Sequence, residues 1–165
     1  VSDGEYQEST HVVNPANLLG PEDPNAICED ADMPDPNNMA RYSSTQLFNM
    51  KATSVSSLLT TRSAGKSFSL KDFSNISDDL KISGKLTHTN SNANYARVGA
   101  CIYLPTTGEY EAIMATDYFA LGSSDNHSWK VSGNVLNGMT CYGFIKNSYG
   151  SGSVSGTLYF YDVVN

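Results

Sequence analysis

Two stretches of this chain alternate between apolar and polar side chains with a period of two residues. In LKISGKLTH at 80–88, Leu80, Ile82 and Leu86 share one face, and YARVGACIYL at 95–104 repeats the pattern. Successive side chains of a β-strand point to opposite faces of a sheet, so this pattern predicts antiparallel strands with one buried face. A period of two is incompatible with an amphipathic helix and favours an all-β fold.

Turn sequences separate the other strand-like segments. PTTG at 105–108 predicts a hairpin over 95–119, and NSYGSG predicts a second hairpin between 139–147 and 153–164. The stretch ARYSSTQLFNMKATSVSS at 40–57 is ambiguous, but its Ser and Thr content favours a strand. About eight strands with short turns predict an antiparallel β-sandwich, either jelly-roll or immunoglobulin-like.

The first forty residues differ from the rest in composition. They contain five of the six prolines and nine carboxylates but no Lys or Arg, whereas residues 41–165 hold ten basic and eight acidic side chains. Proline is excluded from central strands and helix interiors, so residues 1–40 are predicted to form an extended acidic arm and residues 41–165 the β-sandwich. Within the arm, Asn14, Pro15 and Gly20 predict one short helical turn.

These distributions also bear on partners and location. The chain contains no basic patch of the kind that neutralises phosphates, so nucleic-acid binding is not expected. It contains no apolar run of 18 residues, so no membrane span is expected. A chain that begins with Val rather than Met is expected to be a processed or trimmed one. The protein as a whole is expected to be secreted or on the cell surface.

The C-terminal run CYGFIKNSYGSGSVSGTLYFYD at 141–162 resembles the closing hairpin of small secreted Gram-positive β-sandwich proteins. The resemblance covers about a fifth of the chain and implies an extracellular bacterial setting. It implies no functional residue.

The acidic arm suggests two roles. Asp30, Asp32 and Asp35 could supply oxygen ligands to calcium, although this stretch lacks the glycine of a dedicated calcium loop and is interrupted by Pro34. The alternative is a solvated acidic linker without a metal.

The arm could also assemble subunits. EYQESTHVVN at 5–14 has the length of one strand, and it could add to a sheet edge through Tyr6, His11, Val12 and Val13. Asp30, Asp32 and Asp35 would then face basic side chains of the sandwich. Docking on a neighbouring subunit, as in a homo-oligomer, and docking on the arm's own domain both remain open.

Aromatic side chains on the last two strands offer a surface for glycans. Tyr142 and Phe144 share one strand face and Tyr159 and Tyr161 share another, so each pair could stack on sugar rings. Most strand aromatics serve packing or cross-strand pairing instead, and Trp129 is expected in the core.

Three cysteines lack metal-binding spacing. Cys101 and Cys141 both lie in predicted strands and are the more plausible disulfide pair, with three unbridged thiols as the alternative.

No signature of catalysis is present: the chain lacks GxSxG and HExxH, and His127 beside Asp125 in SSDNHSW is explained by turn composition. The sequence therefore predicts a non-enzymatic extracellular β-sandwich that acts by contact, as a surface, adhesive or filament-forming subunit assembled through its arm. The alternative is a carbohydrate-binding module, with or without calcium.

Overall fold

The computed structural model describes residues 12–29, 43–63, 68–69, 78–130 and 140–164. These residues form ten strands and one turn of 3₁₀ helix at Pro15–Asn17. The strands are β1 (Ile27–Glu29), β2 (Ser43–Ser56), β3 (Thr60–Arg62), β4 (Phe68–Ser69), β5 (Asp78–His88), β6 (Tyr95–Leu104), β7 (Glu109–Ala120), β8 (Ser124–Lys130), β9 (Thr140–Lys146) and β10 (Ser153–Val164). No helix among them is long and apolar enough to cross a membrane.

The strands form two antiparallel sheets. Sheet 1 has the order β1-β2-β10-β5-β8, and sheet 2 has the order β3-β9-β6-β7, with β4 also paired to β9. Apolar side chains from both sheets meet in one buried cluster, in which the rings of Phe48 and Phe160 stack 4.5 Å apart. The predicted all-β antiparallel sandwich is confirmed.

The alternating stretches fold as their patterns predict. Leu80, Ile82 and Leu86 of β5 are fully buried, and so are Val98 and Ile102 of β6. Each such side chain contributes about 1.5–3 kcal/mol through removal from water, which fixes the register of its strand against the core. The hairpin over 95–119 is confirmed as β6 and β7, and the ambiguous stretch 40–57 contains β2.

The predicted hairpin at the C-terminus is wrong. β9 bonds to β6, β3 and β4 in sheet 2, whereas β10 bonds to β2 and β5 in sheet 1. The connection crosses between the sheets and is held by the buried Asn147, whose Nδ2 donates to the carbonyls of Val55 and Gly152, 3.1 Å away in each case. The resemblance to a closing hairpin therefore does not extend to the pairing of these strands.

The beginning of the described chain follows the sequence prediction. The Asn14 side chain accepts a hydrogen bond from the backbone N–H of Ala16, Pro15 opens the 3₁₀ turn, and Gly20 lies at φ 76°, in the left-handed region. The predicted donor strand at 5–14 lies largely outside the described residues. The strand that the arm adds to sheet 1 is β1, and the predicted domain boundary at residue 40 stays a prediction.

Candidate functional site

Residues 18–20 of the arm lie on the outer face of sheet 2. The backbone N–H of Leu19 donates to the carbonyl of Tyr110 at 3.0 Å, and the Leu19 side chain is fully buried against Cys101, Ala112 and Phe144. The Leu19 carbonyl accepts a hydrogen bond from Lys146 Nζ at 2.8 Å. Burial lowers the pKa of Lys146, and nearby Arg97 lowers it further. One leucine thus anchors the arm to its own chain.

The arm then reaches the turn between β2 and β3. The backbone N–H of Asp23 donates to the Thr60 carbonyl at 2.8 Å, and the Asp23 carboxylate accepts hydrogen bonds from the backbone N–H groups of Ser56 (2.8 Å) and Asn25 (2.9 Å). The hydrogen bond from Ser56 holds the pKa of Asp23 below its usual value, although burial opposes the shift. Beyond this point β1 pairs with β2, so the arm joins the two sheets.

A cleft of about 420 Å³ lies between the arm and sheet 2, and we call it the tyrosine cleft. Its walls include Glu22 and Cys28 from the arm and Arg62, Tyr110 and Tyr142 from the sheet. The ring centroids of Tyr110 and Tyr142 are 5.9 Å apart. Tyr103 extends the row, since its ring centroid lies 5.1 Å from that of Tyr110. Three tyrosines from β6, β7 and β9 therefore form one continuous aromatic surface.

An ion pair lies at the edge of this aromatic row. The Arg62 guanidinium lies over the Tyr110 ring, 3.6 Å from its centroid, and bonds to the Glu22 carboxylate. Burial raises the pKa of the Tyr110 hydroxyl, and the nearby positive charge of Arg62 partly offsets the increase. The tyrosine stays neutral at physiological pH and can both donate and accept hydrogen bonds. The cleft thus combines aromatic faces, hydroxyls and one pair of opposite charges.

The four residues predicted to stack on sugars differ in their position and in their accessibility. Tyr142 lines the tyrosine cleft, but Phe144 is fully buried beneath Leu19. Tyr159 lies half-buried on the opposite sheet, and Tyr161 is buried. The predictions for Phe144 and Tyr161 as ligand platforms are therefore wrong, because neither ring is accessible.

The sequence patterns did not predict Tyr103, Tyr110 or Glu22 as site residues. A signal for the first two was present, since YLPTTGEY places one tyrosine on each side of the PTTG turn, and hairpin pairing sets Tyr103 opposite Tyr110. Glu22 carried no such signal, because its position depends on where the arm docks.

The predicted Cys101–Cys141 disulfide is not formed, and no disulfide joins any of the three cysteines. Cys101 pairs with Tyr142 in the ladder, and Cys141 pairs with Ile102, so the two thiols point to opposite faces of sheet 2. Burial raises the pKa of Cys101 to about 12 and raises that of Cys141 well above its usual value. Both thiols are therefore packed, protonated groups at neutral pH.

The arm residues predicted to bind a partner are only partly described. Val12 is exposed, and Val13 packs against the core of its own chain. Tyr6, His11, Asp30, Asp32 and Asp35 lie outside the described residues, so their roles in partner or calcium binding stay predictions. Within the described ranges no group of three or more His, Cys, Asp or Glu side chains could hold a metal ion.

The Asp125–His127 pair forms part of the packing around β8. His127 Nε2 lies 3.1 Å from Asp125 Oδ2, and the imidazole packs between the rings of Phe119 and Trp129. Burial raises the pKa of Asp125, but hydrogen bonds from the backbone N–H groups of Ala120 and Asn126 outweigh it and give a net decrease. Trp129 is half-buried and packs on the edge of the core.

Comparison with known proteins finds similarity of structure only. No family model and no curated protein sequence matches this chain. Its structure is similar to the CBM22-1 xylan-binding domain of Paenibacillus barcinonensis Xyn10C, at 9% identity and a TM-score of 0.45, over 90% of this chain and 95% of that one. It is also similar to a chain from Bacillus endospore appendages, a family of disulfide-linked pili, at 12% identity and a TM-score of 0.33, over 81% of this chain and 97% of that one. These are weak, low-identity resemblances to bacterial proteins, and no residue role is transferred from them.

Proposed function

We propose that this chain is a non-enzymatic extracellular β-sandwich that acts by contact, and that its tyrosine cleft binds carbohydrate. The observation that carries the proposal is the continuous row of Tyr103, Tyr110 and Tyr142 beside the Arg62–Glu22 ion pair. Ligand sites are typically concave and mostly apolar, with a few placed polar groups. The faces of tyrosine rings complement the apolar faces of pyranose rings, which accounts for a row of several rings.

Each part of the cleft has a distinct role in this proposal. Tyr103 is 41% exposed and forms the accessible end of the row, where a sugar ring can stack. Arg62 holds the Tyr110 ring in place through a cation–π contact, which reduces the ordering cost of binding. The Glu22 and Arg62 side chains supply an acceptor and donors for sugar hydroxyls.

The experiment compares binding of the full chain to a panel of purified neutral polysaccharides by isothermal titration calorimetry. Tyr103→Ala and Tyr142→Ala should each weaken the binding of a positive ligand by about tenfold, because each removes a stacking surface worth roughly 1–2 kcal/mol. The matched control is Tyr118→Ala, since Tyr118 is 69% exposed and contacts Tyr95 outside the cleft. Absence of binding to the whole panel, or an equal loss in the Tyr118 variant, would contradict the proposal.

A second candidate function is assembly through the arm. β1 pairs only with Lys51–Thr53 of β2, and no described strand bonds to that edge of β2 at residues 43–50. A strand from a neighbouring subunit could pair along this stretch of β2, and EYQESTHVVN at 5–14 remains the predicted donor. Calcium binding by Asp30, Asp32 and Asp35 would be compatible with either function, and titration with calcium before and after a chelator tests it.

A further inference from the structure

We propose that the outer face of sheet 1 carries a second binding site, which takes an anionic polysaccharide. A groove of about 500 Å³ crosses β2, β10 and β5 and reaches β8, on the sheet opposite the tyrosine cleft. We call it the lysine groove, because Lys51 and Lys85 line it. This proposal does not depend on the function of the tyrosine cleft.

The two lysines are placed by the strand register. Thr157 of β10 pairs with Lys51 of β2 on one side and with Lys85 of β5 on the other. Neighbouring strands lie about 4.8 Å apart, so the two lysine backbones are about 10 Å apart with one threonine between them. Lysine side chains are long enough for both to bind the same acid group, or for each to bind one of two successive acid groups along a polysaccharide. Both lysines are exposed.

The floor of the groove is built by two glycines on adjacent strands. A Cβ atom at Gly84 would lie 2.1 Å from the carbonyl oxygen of Thr157, and one at Gly156 would lie 2.2 Å from the carbonyl oxygen of Lys85. A larger residue at either position would therefore clash with the backbone of the neighbouring strand. Since this shape belongs to the backbone of the sheet, the groove exists before a ligand binds.

The side chains that line the groove favour an anionic ligand, although the chain as a whole has a formal net charge of −7. Besides the two lysines, the described residues that line the groove include six hydroxyl side chains and no carboxylate. The hydroxyl residues are Thr53, Thr87, Ser124, Ser155, Thr157 and Tyr159. The carboxylate next to Lys51 in the ladder is Glu29 of β1, which does not line the groove. Cations without lining carboxylates attract a negatively charged partner.

The position of the groove favours a saccharide over an acidic peptide. An extended peptide gains its affinity by bonding to the backbone of an open strand edge. The groove lies on the face of the sheet, where backbone groups already bond between strands, and it presents hydroxyls together with the half-buried Tyr159 ring. Hydroxyls and an aromatic ring complement a sugar that carries carboxylate, sulfate or phosphate groups.

The test measures binding of the full chain to polygalacturonate and to dextran sulfate, with uncharged dextran as the neutral probe. Lys51→Gln and Lys85→Gln should each lower the affinity for a charged probe by about tenfold, the loss expected for one charge-assisted hydrogen bond. Affinity should also fall as salt is raised, and uncharged dextran should not bind. Lys130→Gln is the matched control, because Lys130 is exposed on β8 outside the groove.

Several outcomes would overturn the proposal. Binding that is unchanged in the double variant K51Q/K85Q would exclude the groove, and an equal loss in K130Q would show that only net charge matters. Equally tight binding of poly-glutamate would exclude the saccharide assignment. Loss of polyanion binding in Tyr103→Ala would place the polyanion in the tyrosine cleft, whereas unchanged binding in that variant is the expected result. Circular dichroism of each variant verifies folding.

Discussion

At the scale of single residues, Asp23 connects the arm to the sandwich. It is 3% exposed, and its carboxylate accepts hydrogen bonds from two backbone N–H groups, one in the arm and one at the end of β2. Backbone N–H groups in turns lack ladder partners, so a short acidic side chain that satisfies them stabilises the turn.

Asp23→Asn should lower the free energy of unfolding by about 1–3 kcal/mol at pH 7, because a charged acceptor is replaced by a neutral one that must also orient its amide. Folding lowers the pKa of Asp23 below the ordinary value of 3.8, which applies to the unfolded chain. The contribution of its charge to the free energy of unfolding is therefore fully present above pH 3.8. It is lost as the pH falls through the pKa of the folded state. Urea unfolding should therefore separate wild type and variant at pH 7, and the difference should shrink as pH falls below 3.8.

The control for this measurement is Asp117→Asn. Asp117 pairs with Arg97 at 3.2 Å, but its side chain is 69% exposed. An exposed ion pair contributes about 0–1 kcal/mol, so the variant should behave like wild type. A pH-independent difference for Asp23→Asn would contradict the role given to its charge.

At the scale of elements, the arm segment that directly follows the 3₁₀ turn packs as part of sheet 2. Leu18 forms a bridge with Glu111 of β7, and the Leu19 side chain fills a hydrophobic cluster on the outer face of that sheet. Outer sheet faces are usually solvated in a sandwich, so the arm turns one strip of sheet 2 into a second, smaller core.

Leu19→Ala should lower the free energy of unfolding by about 2–5 kcal/mol, the usual cost of a large-to-small substitution at a fully buried site. Leu58→Ala is the matched control, because Leu58 is 55% exposed in the β2–β3 turn and should change stability by less than about 1 kcal/mol. Chemical denaturation of the three proteins checks the prediction. Equal effects of the two substitutions would show that the arm is not anchored at Leu19.

At the scale of the whole molecule, the arm contacts both sheets of its own chain, and no described strand pairs with residues 43–50 of β2 on the β1 side. Leu19 contacts sheet 2 and β1 joins sheet 1, so both of these arm contacts lie within one chain. The arm residues predicted to bind a partner and lying outside this described part are Tyr6, His11, Asp30, Asp32 and Asp35, and residues 1–11 contain most of the predicted donor strand.

Deletion of residues 1–11 should convert an oligomer to a monomer if a neighbouring subunit is held by strand addition, because the donor strand is lost while the contacts of residues 12–29 stay intact. Light scattering after size-exclusion chromatography, over a hundredfold range of concentration, measures the change for the full and shortened chains. A full chain that stays monomeric at every concentration would exclude assembly, and it would leave carbohydrate binding as the remaining function.

The sequence by itself determined where the alternating strands β5 and β6 lie and which of their faces is buried. Leu80, Ile82 and Leu86 lie in the core because alternation is a local property, and Asn14 with Pro15 begins a turn because capping involves only adjacent residues. Only the tertiary structure decided that β9 and β10 belong to different sheets, because turn residues signal a reversal without specifying the next partner. It also decided that Tyr142 lines a cleft while Phe144, on the same strand face, is covered by Leu19. Those outcomes depend on contacts between segments far apart in the chain, and burial at such contacts has no signature in the local pattern.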